Sequence, residues 1–238
     1  MSDALLSVVA LEAGYGEVQV VWGVSFEARR STLTTIVGAN GAGKTTTLKA
    51  VVGTLVPWGG RVVFNGEDVT RLPAHAKAAR GLALVPEGRQ LFADMTVEEN
   101  LEMGSYSKRA SRSFTVLLER CFALFPRLAE RRRQRAGTLS GGEQQMLAIA
   151  RGLMSDPEVL MVDELSLGLA PVVLHQLFAT LRVLKDDGLT IVLVEQNVHL
   201  AFALSDHAYV IADGKLFADG SPDALTDMPE IRRAYLGL

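Results

Sequence analysis

The stretch "GANGAGKTTT", residues 38–47, sets Gly38, Asn40, Gly41 and Gly43 ahead of Lys44, Thr45 and Thr46. Glycines at this spacing let successive backbone N–H groups close around an anion, and a lysine at the end of the loop reaches the outer phosphate oxygens. The hydroxyl beside it enters the shell of a Mg²⁺ ion. The apolar run "STLTTIV" precedes the loop and the helix-compatible "KTTTLKAVV" follows it. A strand, a tight turn and a helix N-terminus in that order predict a site for ATP and Mg²⁺.

Two further stretches carry chemistry. "VLMVDE" (159–164) ends a continuous apolar run in two carboxylates, Asp163 and Glu164. Acids at the carboxyl end of a buried parallel strand face the ligand crevice, where one could complete the Mg²⁺ shell and the other polarise an attacking water. "LSGGEQQ" (139–145) places Ser140, Gly141 and Gly142 at the start of a helical pattern, with Ser140 and Glu143 at capping-box spacing. A capped surface helix needs no pair of glycines, which weaken a helix. The pair points to a second phosphate-facing helix end.

Elements must hold these residues together. The runs "LLSVVALEA", "VSFEA", "STLTTIVG", "GLALVPE", "VLMVDE", "TIVLVE" and "HAYVIADG" predict strands, the continuous ones buried on both faces, between helical segments. That pattern is an α/β fold with a mainly parallel sheet. "RVVFNGEDV" instead alternates and turns at Asn65–Gly66, predicting an antiparallel β piece towards the N-terminus. Residues 95–153 contain no strand-like run, and Thr96 and Glu99 again have capping-box spacing. The expected organisation is one domain, 1–238, in which 1–94 and 154–238 form the nucleotide-binding core with its β subdomain and 95–153 form an inserted helical subdomain.

The 238 residues carry 24 basic and 27 acidic side chains, a net charge of −3, which offers no global attraction for nucleic acid. The single cysteine, Cys121, excludes an internal disulfide. The N-terminal stretch lacks the basic flank of a secretory signal, and no apolar run reaches membrane-spanning length. A role at a membrane must come through partners. The basic run 127–137 reads as a solvated helix face.

The order of phosphate loop, helical insert, LSGGEQQ and acidic strand resembles the ATP-binding-cassette (ABC) ATPases over essentially the whole chain. The resemblance implies that two cassettes face each other head to tail, so that Ser140, Gly141, Gly142 and Glu143 meet the γ-phosphate bound by the partner. It implies that Tyr15 stacks on adenine, that Asp163 and Thr45 hold Mg²⁺, and that Glu164 orients water with help from Lys44. Glu87, in "LVPEGRQLF", falls where the family usually has glutamine and would touch Mg²⁺ and the membrane partner. Gln196, in "VEQN", falls where the family usually has histidine, and His199 reads as an ordinary helix-face residue. Leu165 and Ala170 replace a frequent proline and aspartate.

"VPEGRQLFADMTVEENL", "DELSLGLAP" and "VEQN" are similar to the ATPase subunits of bacterial importers of branched-chain amino acids. That similarity implies a second ATPase subunit, a sister chain or a second copy of this one. It also implies two transmembrane permease subunits, an extracytoplasmic solute-binding protein and a peripheral position on the cytoplasmic face of the membrane. A related urea or amide importer, a soluble non-transport ABC ATPase and a degenerate nucleotide-sensing module are the competing readings. Lipopolysaccharide-exporting cassettes share the "PEG" loop but differ after the acidic strand.

Overall fold

Two sheets share the work of positioning in the computed structural model, which describes residues 4–236. The strands are β1 (Ala4–Tyr15), β2 (Val18–Arg29), β3 (Leu33–Val37), β4 (Gly59–Phe64), β5 (Glu67–Asp68), β6 (Leu82–Val85), β7 (Val159–Asp163), β8 (Thr190–Glu195), β9 (His207–Ala212) and β10 (Lys215–Gly220). Strands β2-β1-β4-β5 form an antiparallel sheet, and β10-β9-β3-β8-β7-β6 form the second sheet. In the second sheet every pair is parallel except β9 with β10. The architecture is the expected α/β fold with a mainly parallel sheet and an antiparallel N-terminal sheet.

The parallel strands are made by their sequence. "LTTIV", "VLMVD" and "TIVLVE" are buried at every position, as strands covered by helices on both faces must be. β4 and β5 meet through Asn65 (φ +50°) and Gly66 (φ +80°), with Phe64 opposite Glu67. Two consecutive left-handed residues are what a tight hairpin of this twist needs. β10 was not among the expected strands. "KLFADG" is an edge strand that is nowhere fully buried, so it lacks the apolar run that marks its neighbours, although the Asp213–Gly214 turn before it is a hairpin signal.

Helix α1 (Lys44–Val52) follows β3 and α2 (Ala74–Ala79) precedes β6. Between β6 and β7 the chain holds α3 (Val97–Gly104), α4 (Lys108–Arg112), α5 (Phe114–Leu124), α6 (Pro126–Glu130) and α7 (Gly141–Leu153). α8 (Pro171–Asp186) and α9 (Val198–Phe202) come after β7 and β8. Leu147, Ile149 and Leu153 of α7 share one apolar cluster with Leu160 and Val162 of β7 and with Leu101 of α3. Each such side chain, fully removed from water, contributes roughly 1.5–3 kcal/mol. Leu6, Val8 and Leu11 of β1 pack with Leu48 and Val51 of α1 in a second cluster. The phosphate-loop helix is therefore pressed between the two sheets.

The basic run is less free than a solvated face would be. Arg127 pairs with Glu130, Arg131 with Glu143 at 2.7 Å, and Arg132 with Glu98 while lying 5.5 Å from the Phe122 ring centroid. These pairs tie the run to α3 and α7.

Candidate functional site

The loop between β3 and α1 turns on its glycines. Gly41 and Gly43 sit at φ +80° and +100°, a region that side chains disfavour. Gly38 is required for space, since a Cβ there would stand 2.2 Å from the Ile211 carbonyl oxygen. Lys44, the first residue of α1, is 4% exposed. Its Nζ donates to the carbonyls of Gly38 (3.0 Å) and Ala39 (3.1 Å) and lies 3.6 Å from Glu164 Oε1.

Parallel register brings the acids to the same edge. β3 and β7 both pair with β8, so Val37 and Asp163 finish side by side with Glu195 and Val194. Thr45 Oγ1 donates to Asp163 Oδ1 at 3.1 Å. Asp163 is 2% exposed, and burial pushes its carboxyl up to about 6, with the nearby Glu164 and Glu87 adding to the rise and Thr45 and Lys44 opposing it. Glu164 leaves the strand at φ +48°, a conformation that costs energy in a side-chain-bearing residue and marks functional sites.

Beside them lies a cavity of about 500 Å³ lined by Tyr15, Asn40, Gly41, Gly43, Lys44, Thr45, Thr46, Glu87 and Glu164; Asp163 is not in its lining and meets it through its bond from Thr45. Val20 and Leu167, which sequence reasoning did not single out, complete the wall. Val20 is one apolar residue in a strand rich in them, and Leu167 lies in a loop, so neither carries a local signal. Tyr15 stands at the β1–β2 turn, about half exposed, with the Thr46 hydroxyl donating to Tyr15 Oη at 3.5 Å. The donors fit a nucleoside triphosphate and a hard cation: backbone amides, an ammonium, and hydroxyl and carboxylate oxygens converging on one space.

Gln196 is exposed one residue beyond β8 and does not line this cavity, and Asn197 beside it caps α9 through a bond from Leu200 N. His199 is exposed on α9.

Ser140, Gly141, Gly142 and Glu143 lie elsewhere, at the N-terminus of α7, and none of them lines the cavity. Ser140 Oγ accepts from Glu143 N (3.3 Å), and Glu143 Oε2 accepts from Ser140 N (2.9 Å), a complete capping box. Partial burial would raise the Glu143 carboxyl, but the bonds from Ser140 and Arg131 outweigh it and hold it below its usual range. Packing accounts for part of the glycine pair, because a Cβ on Gly142 would meet Val173 Cγ1 at 2.8 Å. A Cβ on Gly141 would meet the Arg89 guanidinium at 3.3 Å. That guanidinium donates to Gln144 and Gln145, and Arg151 donates to the carbonyls of Arg89 and Gln90. The Glu87 loop and the head of α7 are thus bonded together.

No helix among the described residues is long and apolar enough to cross a membrane.

The profile of the ABC transporter family matches residues 21–166. The chain is 43% identical over 233 residues to the high-affinity branched-chain amino acid transport ATP-binding protein BraG of Pseudomonas aeruginosa, covering 98% of this chain and 100% of that one. It is 36% identical to the probable branched-chain amino acid transport ATP-binding protein LivF of Archaeoglobus fulgidus, over 98% of this chain and 99% of the relative. The lipopolysaccharide export ATP-binding protein LptB of Haemophilus influenzae is 30% identical over 98% of both chains. The fold is similar to a crystal structure of an ATP-binding cassette of an ABC transporter in its ADP conformation, with a TM-score of 0.84 and 27% identity over 100% of both chains.

Proposed function

The chain belongs to the ABC transporter family as one of its ATPase subunits, and from that premise we propose that it powers a bacterial importer of branched-chain amino acids. The observation that carries the ATPase reading is the convergence of Lys44, Thr45, Glu87, Asp163 and Glu164 at the carboxyl edge of one parallel sheet. The substrate reading is supported by the 43% identity to BraG along nearly the whole chain, against 30% to the lipopolysaccharide export relative.

In this reading the amides of Gly41 and Gly43 and the Lys44 ammonium hold the phosphates of ATP, and Tyr15 faces the base. Thr45 and Asp163 would hold Mg²⁺, which neutralises phosphate charge when bound. Glu164, 14% exposed and beside Lys44, orients the attacking water and takes up its proton. Glu87 acts at the rim of the same cavity. Gln196 can hydrogen-bond a phosphate oxygen but cannot carry a proton, which leaves proton transfer to Glu164.

The signature surface, Ser140 to Glu143, serves the nucleotide held by a second cassette, because it stands apart from this chain's own cavity. Closure then brings both halves onto ATP and hydrolysis reopens them. Residues 95–153 move as a helical unit against 1–94 and 154–238, and they push on two permease subunits at the cytoplasmic face of the membrane. A solute-binding protein outside delivers the amino acid, and the second cassette is a sister ATPase or a second copy of this chain.

The test is ATP turnover by the complex, purified with its permeases and reconstituted in vesicles, with and without leucine-loaded binding protein. Stimulation by leucine, isoleucine or valine is expected. Stimulation only by urea or a short amide would move the substrate to a related system, and stimulation by none would remove the importer reading.

A further inference from the structure

Glu195 ends β8 and is 1% exposed, one residue before Gln196. Its two carboxylate oxygens are both used on one residue: Ser166 N donates to Oε1 at 2.9 Å and Ser166 Oγ donates to Oε2 at 2.7 Å. β7 and β8 pair as far as Asp163 opposite Val194, and Glu164 N donates to the Val194 carbonyl at 2.9 Å. There the chain turns out of the sheet at Glu164, φ +48°. The bonds from Ser166 stand where the next rung of the ladder would have been.

A carboxylate buried this deeply is costly unless its bonds repay it, and an apolar residue would end the strand at less cost. Its placement explains the expense. Ser166 lies between Glu164 and Leu167, both of which line the nucleotide cavity, and beside Leu165, which is fully buried. Whatever fixes Ser166 fixes the direction in which Glu164 leaves the strand. Burial pushes the Glu195 carboxyl up, and the two bonds from Ser166 work against that rise.

We propose that Glu195 is a positioning residue for hydrolysis: by holding the backbone N–H and the hydroxyl of Ser166 it aims Glu164 into the nucleotide cavity and locks residues 165–170 to the end of β8, one residue before Gln196. The inference rests on the reading of Glu164 as the residue that orients water. Glu195 touches no substrate and acts through Ser166. Its loss would misplace a catalytic carboxylate without removing a nucleotide-binding group, and misplacement on the scale of an ångström costs about a hundredfold in rate.

The experiment measures kcat and KM for ATP in the assembled transporter for the wild type, Glu195→Gln, Ser166→Ala, the double variant and Glu164→Gln. Thermal midpoints and the affinity of each subunit for a fluorescent ATP analogue are recorded alongside. The expected result is a fall in kcat of roughly tenfold to a hundredfold for each of the first two variants, with KM and analogue affinity unchanged. The double variant should be no worse than the more severe single one, since both changes act on the same bond from Ser166 Oγ to Glu195 Oε2. Unchanged kcat in Glu195→Gln, or losses that multiply in the double variant, would overturn the proposal. So would a loss that tracks the thermal midpoint and vanishes on cooling. If Glu195→Gln does not fold, Ser166→Ala alone carries the test, because it leaves the strand intact. Near-normal turnover in Glu164→Gln would instead bring down the reading of Glu164 on which the inference stands.

Discussion

Thr45 Oγ1 and Asp163 Oδ1 are joined by a 3.1 Å hydrogen bond across 118 positions of sequence, linking the first turn of α1 to the end of β7. The bond joins the phosphate loop to the acidic strand and sets the geometry of the site. It also places an acid where burial opposes its charge.

Asp163 should therefore cost stability at neutral pH. Its folded carboxyl titrates near 6 against 3.8 for the ordinary group, so between those values the folded state holds a proton that the unfolded state has released. Stability falls as pH rises through that window, by roughly 3 kcal/mol if the shift is fully expressed. Asp163→Asn should be more stable than the wild type at pH 7, and the advantage should disappear towards pH 4. Thermal melts of the nucleotide-free protein across that range check it, and Mg²⁺-dependent turnover should be lost in the same variant.

Lys77 is fully buried, with Nζ donating to the Val51 carbonyl at 2.8 Å in the last turn of α1. Burial pushes its ammonium down to about 8, partly offset by Asp68. Above pH 8 the folded state releases a proton that the unfolded state keeps until about 10.5. Stability contributed by this group therefore rises with pH from 8 to 10.5. Denaturant titrations of Lys77→Met against the wild type should show the wild type gaining on the variant across that interval, and a constant difference would contradict it.

Ser140→Ala removes a capping side chain and should cost about 1 kcal/mol of stability, read as a small drop in thermal midpoint. If the α7 N-terminus serves a partner's nucleotide, turnover in the assembled complex should fall by far more than that loss explains. ATP binding to the isolated subunit should be unaffected. A variant whose only defect is the midpoint would reduce Ser140 to a cap.

Gly38→Ala puts a methyl group 2.2 Å from the Ile211 carbonyl oxygen and 3.3 Å from Ala42 Cβ, and the Ile211 backbone has little room to yield. The loop must shift, so ATP affinity should drop at least tenfold, measured by equilibrium binding. Gly66→Ala is the contrasting case. It has open space but a φ of +80°, so it should lower the midpoint through backbone strain by about 1 kcal/mol and leave ATP affinity alone.

The phosphate loop was legible because its chemistry is local: Gly38 to Thr46 are contiguous, and their spacing states the turn. β3, β7 and β8 were legible because burial on both faces writes an unbroken apolar run. β10 was not, since an edge strand has no such run. The clamp of Glu195 on Ser166 joins residues 29 positions apart, and only the β7–β8 register brings them together. A single acid closing the apolar run "TIVLV" was its one visible trace. Gly142 shows the opposite limit, because a residue read as chemistry also has a packing partner in Val173. The ion pairs of Arg131 and Arg132 depend on where α3 and α7 lie, which the charge run itself does not encode.

The most direct test of the account is ATP turnover by Glu164→Gln in the assembled complex, with nucleotide binding measured on the same preparation. Removing a general base costs about a hundredfold or more. The account predicts that loss with ATP binding retained, and turnover near the wild-type rate would contradict it.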